Sequence, residues 1–215
     1  MHNKGLLFYL WMTLCLLFFS LRAHADIQRN LIWALEKGNL YEVSRLLNKG
    51  ADPNIPNPEG YTPLMMAAQL HNAKLAELLM DAGANIHARN RFGETAIMLA
   101  SYHGQTEMVK QLYIRGAEIN HSGWNPLLYA ATSGHLDTIQ LLLKGGADIN
   151  AVSDNGSSAL MMAVRNNHSD AVALLLKLGA DPTIKNEQGD NALTWAEKRE
   201  FQDIVKFLKN QNATK

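Results

Sequence analysis

The chain has 215 residues, with 20 basic and 20 acidic side chains, a formal net charge of zero and one cysteine. No basic block or stripe stands out, which argues against a nucleic-acid partner and against adhesion to an anionic membrane surface. Since Cys15 is the only cysteine, the rest of the chain has no disulfide, thiol nucleophile or thiolate metal ligand.

The segment 1–25 predicts a secretory signal peptide. Lys4 provides a charged start, an apolar run extends from Gly5 to Leu21, and Ala23-His24-Ala25 supplies a small-residue cleavage motif. We therefore expect cleavage after Ala25, and a mature chain that is periplasmic or secreted and does not insert into a membrane. The alternative is a membrane anchor, because the run is at the lower edge of what spans a bilayer. So lean a signal also favours a bacterial source.

The mature chain has a repeating unit. The glycines at positions 60, 93, 123, 156 and 189 recur at intervals of about 33 residues, but the step from 93 to 123 is shorter by three. A second series at positions 50, 83, 116, 146 and 179 has the same interval and the same shortening, here from 116 to 146. Two series that share one period and one defect indicate a repeat architecture in which neighbouring units bury a common core.

The segment "YTPLMMAAQL" from Tyr61 to Leu70 starts one of these units, and "ETAIMLASYH", "WNPLLYAATS", "SSALMMAVRN" and "DNALTWAEKR" are its downstream counterparts. With its repeat period of about 33 residues and its Thr-Pro-Leu start, the chain resembles the ankyrin-repeat family. The resemblance covers Asp26 to about Gln211. It implies an all-α solenoid of stacked helix-turn-helix units with β-hairpin fingers, about six units including caps.

The residues of one unit explain its expected shape. Thr62 can cap a helix by accepting a backbone N–H, and Pro63 suits the first turn because its missing donor is not needed there. A second helix should end at Gly83, which can adopt a left-handed conformation. We divide the mature chain into an N-terminal cap at 26–56, four repeats at 57–89, 90–119, 120–152 and 153–185, and a C-terminal cap at 186–212.

Two columns of apolar residues recur at the repeat spacing and are predicted to form the core. One column holds Val43, Ala76, Val109, Ile139, Val172 and Val205, and the other holds Leu46, Leu79, Leu112, Leu142, Leu175 and Leu208. The segment "TPLMMAA" is therefore interpreted as a stacking unit and not as a reactive site.

The sequence departs from the family pattern at two places. The histidine that usually follows Thr-Pro-Leu is replaced by Met65, Met98, Leu128, Met161 and Thr194. The shortened step removes three residues from the finger that precedes Trp124. That shortened finger is either a tolerated loop deletion or a notch that shapes a binding surface, and Trp124 either faces the partner or fills the notch.

The histidines do not predict catalysis or metal binding. "GHLD" at 134–137 and "NHSD" at 167–170 place a histidine and an acid within one turn, whereas a catalytic triad needs groups that converge in space. His71, His103, His135 and His168 fall near the same turn of successive units, but the repeat spacing separates them and no cysteine assists. We expect no enzyme activity, no metal site and no cofactor; a metal-binding or enzymatic role of the histidines is the weaker alternative.

The resemblance implies a protein-binding module that acts as a monomer and holds a protein partner of unknown identity in its concave groove. The partner could be a periplasmic or secreted enzyme or toxin that the chain supports or inhibits, as an immunity protein does; envelope tethering is the alternative role. Carrying over the groove positions of the family gives the candidate contacts Tyr61, Gln69, Leu70, Arg91, Phe92, Tyr102, His103, Trp124, Asp154, Asn155, Arg165 and Asn166. Because aromatic residues and arginine are common in binding hot spots, we expect the four large aromatics of this set to face solvent.

Overall fold

A computed structural model describes residues 3–212, with some side chains at both ends left out. This part of the chain contains twelve α-helices. They are α1 (Asn3–Glu36), α2 (Leu40–Asn48), α3 (Pro63–Gln69), α4 (Ala73–Asp81), α5 (Ala96–Tyr102), α6 (Thr106–Ile114), α7 (Pro126–Ser133), α8 (Leu136–Lys144), α9 (Ala159–Arg165), α10 (Ser169–Lys177), α11 (Ala192–Lys198) and α12 (Gln202–Asn212).

The helices form six antiparallel pairs that stack in chain order. The first helix of each pair packs on the first helix of the next pair, from α1 through α11, and the second helices form a parallel layer behind them. No helix in the described part of the chain is both long and apolar enough to cross a membrane. The expected all-α stack is therefore confirmed.

The helix starts follow from residues that the sequence identifies. The Thr62 hydroxyl accepts a hydrogen bond from the backbone N–H of Met65 at 3.3 Å, and Pro63 is the first residue of α3. Asn125 caps α7 in the same way, accepting from the N–H of Leu128 at 3.1 Å. Such caps satisfy N–H groups that have no partner within the helix.

The two predicted columns form the core. Every residue in both columns is buried, and most are fully inaccessible to solvent. Met65, Met98, Leu128 and Met161 are also buried, so apolar packing replaces the family histidine in four units. In the C-terminal cap the Thr194 hydroxyl accepts from the N–H of Asn191 at 2.6 Å, which provides a polar contact at that helix start.

The expectation of β-hairpin fingers is wrong in detail, because the fingers are tight turns. In the first finger, the N–H of Asn57 donates to the carbonyl of Tyr61, while the Asn57 side chain accepts from the Tyr61 N–H, both at 2.9 Å. One such closure spans five residues and leaves no further pairs for a ladder. Among the described residues, the only β-pairing is one isolated bridge between Val152 and Ser158.

Helix α1 continues through the predicted cleavage point. Its C-terminal part belongs to the stack, since Leu31, Ala34 and Leu35 are fully buried. By contrast, nearly all the described side chains of residues 9–18 are exposed, and none belongs to the core. The described core residues of the first pair therefore all lie after Asp26, while the domain boundary at that residue stays a prediction.

The stack predicts that equal truncations cost different amounts at different positions. Leu142 in α8 lies between two neighbouring pairs, whereas Leu208 in α12 has a neighbour on one side only. Leu142→Ala should lower the free energy of unfolding by about 2–5 kcal/mol. Leu208→Ala should cost less in global unfolding, because the last pair can fray separately. Denaturant melts of both variants measure the difference, and equal global losses would contradict nearest-neighbour stabilisation.

Candidate functional site: the finger row and the adjoining helix ends

The third finger (residues 120–124) interrupts an otherwise regular row. The other four fingers, at 57–61, 90–94, 153–157 and 186–190, each close with a backbone hydrogen bond from their first residue to their last. The first residue of each also accepts a hydrogen bond from the last residue's N–H through its side chain; these residues are Asn57, Asn90, Ser153 and Asn186. In the third finger the Asn120 side chain is used differently, because it accepts from the N–H of Asp148 at 2.9 Å and donates to the carbonyl of Gly146 at 2.7 Å.

A cavity of about 370 Å³ lies where the missing tip would be. We call it the slot, and define it by the residues that line it: Arg89, Phe92, Gly93, Met98, His121, Ser122, Trp124, Tyr129 and Asp154. The second finger forms one wall and Asp154 of the fourth finger forms the other. The shortened third finger and α7 form its floor.

Aromatic rings extend from the slot along the ends of the first helices. The Trp124 ring lies 5.2 Å from that of Tyr129, measured between centroids, and Tyr129 lies 6.1 Å from Tyr102. Tyr102 contacts His103 at 5.3 Å, and His103 contacts His71 at 4.9 Å. The five rings therefore form one continuous row across three repeats.

Tyr129 is fixed by a carboxylate from the preceding repeat. Its hydroxyl donates to Glu94 Oε1 at 2.9 Å, and Asn90 Nδ2 donates to Glu94 Oε2 at 2.8 Å. Burial raises the pKa of Tyr129 well above its ordinary value, and the hydrogen bond to Glu94 raises it further. The hydroxyl therefore remains a donor, and it holds the ring in place beside the slot.

The structure brings together only part of the predicted contact set. Phe92, Trp124 and Asp154 line the slot, and Tyr102 and His103 belong to the aromatic row. The other seven residues lie outside both features. They are Tyr61, Gln69, Leu70, Arg91, Asn155, Arg165 and Asn166.

These seven residues lie in the fingers or at the ends of first helices. Gln69, Leu70, Arg165 and Asn166 are exposed where α3 and α9 end. Arg91 Nε donates to the carbonyl of Glu59 at 2.8 Å, which links the second finger to the first. The carbonyl of Asn155 accepts from the N–H of Glu187 at 3.0 Å, which links the fourth finger to the fifth.

The expectation that all four large aromatics face solvent is correct for two of them. Phe92 is 68% exposed and Tyr102 is 44% exposed. Tyr61 and Trp124 are only partly exposed, because each packs against the core. Trp124 therefore combines both interpretations of the sequence, since it fills part of the notch and also lines the slot.

The turn histidines connect neighbouring repeats. His135 Nε2 lies 2.9 Å from the carbonyl oxygen of Tyr102, and His168 Nε2 lies 3.0 Å from that of Thr132. Each ring occupies the space above a glycine of the preceding repeat. A Cβ on Gly104 would come within 2.5 Å of His135, and one on Gly134 within 2.7 Å of His168.

These contacts indicate that the histidines help to pack neighbouring repeats together. Burial lowers the pKa of His103, and the neighbouring His71 and His135 lower it further, which disfavours its charged form. In the described part of the chain, no group of three or more histidine, cysteine, aspartate or glutamate residues is placed to hold a metal ion. His135 and His168 precede α8 and α10, with Asp137 and Asp170 in the first turns.

Sequence reasoning missed Tyr129, Glu94 and His121. Tyr129 occupies a column that otherwise holds Met66, Leu99, Met162 and Trp195. A hydroxyl in such a column needs a polar partner, and Glu94 in the preceding finger is the acid that provides it. His121 carried no comparable signal, because its place at the slot depends on the path of the shortened finger.

The family model described as "Ankyrin repeats (3 copies)" matches residues 13–90, 82–153 and 145–215. "Putative palmitoyltransferase ZDHHC13" of Danio rerio is 31% identical over 129 residues, or 58% of this chain and 20% of that protein. "B-cell lymphoma 3 protein" of Homo sapiens is 34% identical over 142 residues, or 61% of this chain and 31% of that protein. "Ankyrin repeat protein nuc-2" of Neurospora crassa is 28% identical over 137 residues, or 58% of this chain and 12% of that protein. The chain thus matches less than a third of the length of each relative.

The hydrogen bond between Tyr129 and Glu94 is expected to contribute measurably to the free energy of unfolding. Tyr129→Phe should lower the free energy of unfolding by about 1.5 kcal/mol, because a hydrogen bond to a charged group is lost. Tyr102→Phe is the matched control, since no described residue bonds to its hydroxyl, and it should change stability by less than about 0.5 kcal/mol. Denaturant melts near neutral pH measure both losses. Equal losses for the two variants would mean that the contact does not stabilise the fold.

The raised pKa of Tyr129 adds a pH dependence. Its contribution to stability is fully present below the ordinary tyrosine pKa of 10.0. It is lost as the pH rises further, because the unfolded chain then ionises while the folded chain does not. Between about pH 8 and about pH 11, the wild type should lose more stability than Tyr129→Phe. Equal losses would contradict the assignment.

Proposed function

Because the chain belongs to the ankyrin-repeat family, we propose that it is a non-catalytic module that binds one protein partner through its groove face. We define the groove face as the fingers together with the exposed ends of the first helices. The observation that carries the proposal is the slot, where an interrupted finger row exposes aromatic side chains beside polar ones. Buried aromatic anchors with a polar surround are typical of binding hot spots.

The groove face suits a folded protein more than a small substrate. Its candidate contacts extend over four repeats, from Tyr61 to Asn166, and most are exposed side chains. Protein interfaces bring together about 20–30 residues from each partner, which requires a surface of this extent. The slot offers one recess within it for a protruding element of the partner.

We place this binding outside the cytoplasm, in the periplasm or the secreted fraction. The support is the signal-like sequence before Asp26, together with a helical stack whose core needs none of residues 9–18. In that setting the chain would support or inhibit a secreted or periplasmic enzyme or toxin. Envelope tethering is the second candidate role, because the exposed apolar residues at 9–18 would suit attachment to an apolar surface.

Affinity capture of the mature protein from its native compartment tests the proposed function. A single co-purifying protein that exchanges with soluble bait would support it. The Phe92→Ala bait should lose that protein, while an Ile114→Ala bait should retain it, because Ile114 lies on α6, a second helix of the stack. Recovery of the chain only with membrane fragments, without a specific protein, would favour the tether.

The proposed export of the protein predicts where the mature chain begins. Mass spectrometry of the exported protein should find a chain that begins at Asp26. A chain shortened to that residue should also keep the denaturation midpoint of the repeat domain, because none of residues 9–18 belongs to the core. An intact chain from Met1 embedded in the membrane would contradict cleavage.

If the groove face binds the partner, truncating Phe92 should weaken partner binding without lowering the stability of the fold. Phe92→Ala should weaken partner binding by about 2 kcal/mol if the residue is a hot spot. Its side chain is largely exposed, so the unfolding midpoint should change little. Ile114 is 71% exposed on α6, and Ile114→Ala should change neither quantity. Titration of each variant against the captured partner, paired with thermal melts, measures both, and unchanged affinity for Phe92→Ala would place the interface elsewhere.

A further inference from the structure

We propose that the slot binds a cationic side chain, arginine or lysine, presented by a loop of the protein partner. The inference rests on the proposed function and specifies the chemistry of one contact within it. The slot's size, its aromatic lining and the distribution of charge around it support this occupant.

The size and lining fit a single extended side chain. A volume of about 370 Å³ lies near the lower end of ligand pockets, so it can hold one or two side chains but no helix or domain. Phe92, Trp124 and Tyr129 supply aromatic surface around it. Aromatic faces attract guanidinium and ammonium groups, and Arg91 already lies 5.6 Å from the Phe92 ring centroid at the slot's edge.

The charges favour a cation on the fourth-finger side. Among the described residues, no hydrogen bond or ion pair occupies the Asp154 carboxylate, which lines the slot. A second carboxylate, Glu94, lies directly behind the Tyr129 hydroxyl and is balanced by neutral donors alone. The one guanidinium in the lining belongs to Arg89, and its Nη1 is directed to the Gly93 carbonyl at 2.7 Å. Asp154 is thus the only carboxylate in the lining, and the two guanidinium groups nearest to the slot, Arg89 and Arg91, each already donate to a finger carbonyl.

The acidic wall and the floor of the slot lie close together. The Asp154 carboxylate lies beside Gly123, which has no side chain to displace it from that position. On the floor, His121 Nε2 is buried without a hydrogen-bond partner among the described residues. A buried polar atom of this kind calls for a partner, and an entering polar group with its water can supply one.

A matched pair of small probes tests the charge preference without the partner. N-acetyl-arginine methylamide and N-acetyl-citrulline methylamide have nearly the same shape, but only the arginine compound is charged. Each is titrated into the mature protein while the indole N–H resonance of Trp124 is followed by NMR. The arginine probe should shift this resonance saturably and bind about fivefold more tightly than the citrulline probe, as expected for an exposed cation beside a carboxylate and aromatic rings.

Two variants locate the effect. Asp154→Asn should abolish most of the preference for the arginine probe, whereas Asp137→Asn, an exposed aspartate in the first turn of α8, should leave it unchanged. Equal binding of the two probes, tighter binding of N-acetyl-glutamate methylamide, or no saturable shift in the folded protein would each overturn the proposal. Retention of the full preference in Asp154→Asn would also overturn it.

The two proposals can fail separately. A protein that captures a specific partner but does not distinguish arginine from citrulline keeps the proposed function and loses this inference. If the Asp154 variant does not fold, the comparison of probes on the unchanged protein still decides the question.

Discussion

The packing of each first helix against the first helix of the next repeat is the interaction on which the rest of the molecule depends. A seven-residue helix such as α3 is too short to be stable alone, and almost its entire surface is buried by neighbours. Small residues such as Ala67 and Ala68 allow the close approach. The position of every finger and every groove side chain follows from this stacking, since each extends from the start or end of a first helix.

The slot shows how a short deletion can change a surface without disturbing the core beneath it. The shortened step leaves Leu112 and Leu142, on either side of it, as buried as their counterparts elsewhere. The loss is absorbed in the finger, where the backbone closure seen in the other four is missing. Packing therefore tolerates the defect, because the fingers lie outside the helical layers. Trp124 turns partly inward and covers the exposed edge that the defect creates.

The fold could be predicted from the sequence because the buried positions of each repeat recur in the sequence at the repeat spacing. Two glycine series and two apolar columns identify the units, and Thr62 and Pro63 mark a helix start. The fingers were predicted less well, since one side-chain acceptor such as Asn57 can close a turn without forming a ladder.

The candidate site was predicted only in outline. The groove positions carried over from the family put Phe92 and Asp154 in the finger row, where the structure also has them, but each position was treated independently. The carried-over positions did not pair Tyr129 with Glu94, because that contact joins different repeats and depends on the distance between them. They also left two positions open for Trp124, since the path of a shortened loop is not encoded by the repeat period. The binding roles of these residues remain predictions.

The glycine–histidine contacts have a consequence for how the stack opens. Gly104 with His135, and Gly134 with His168, link the second, third and fourth repeats to one another at the turns that follow their first helices. Local opening of a repeat array starts at its termini, where each unit has one neighbour. The terminal pairs can therefore detach and re-form while the central block stays assembled. Amide protons in that block should be the last to exchange with solvent, so the slot persists in molecules whose ends are already frayed.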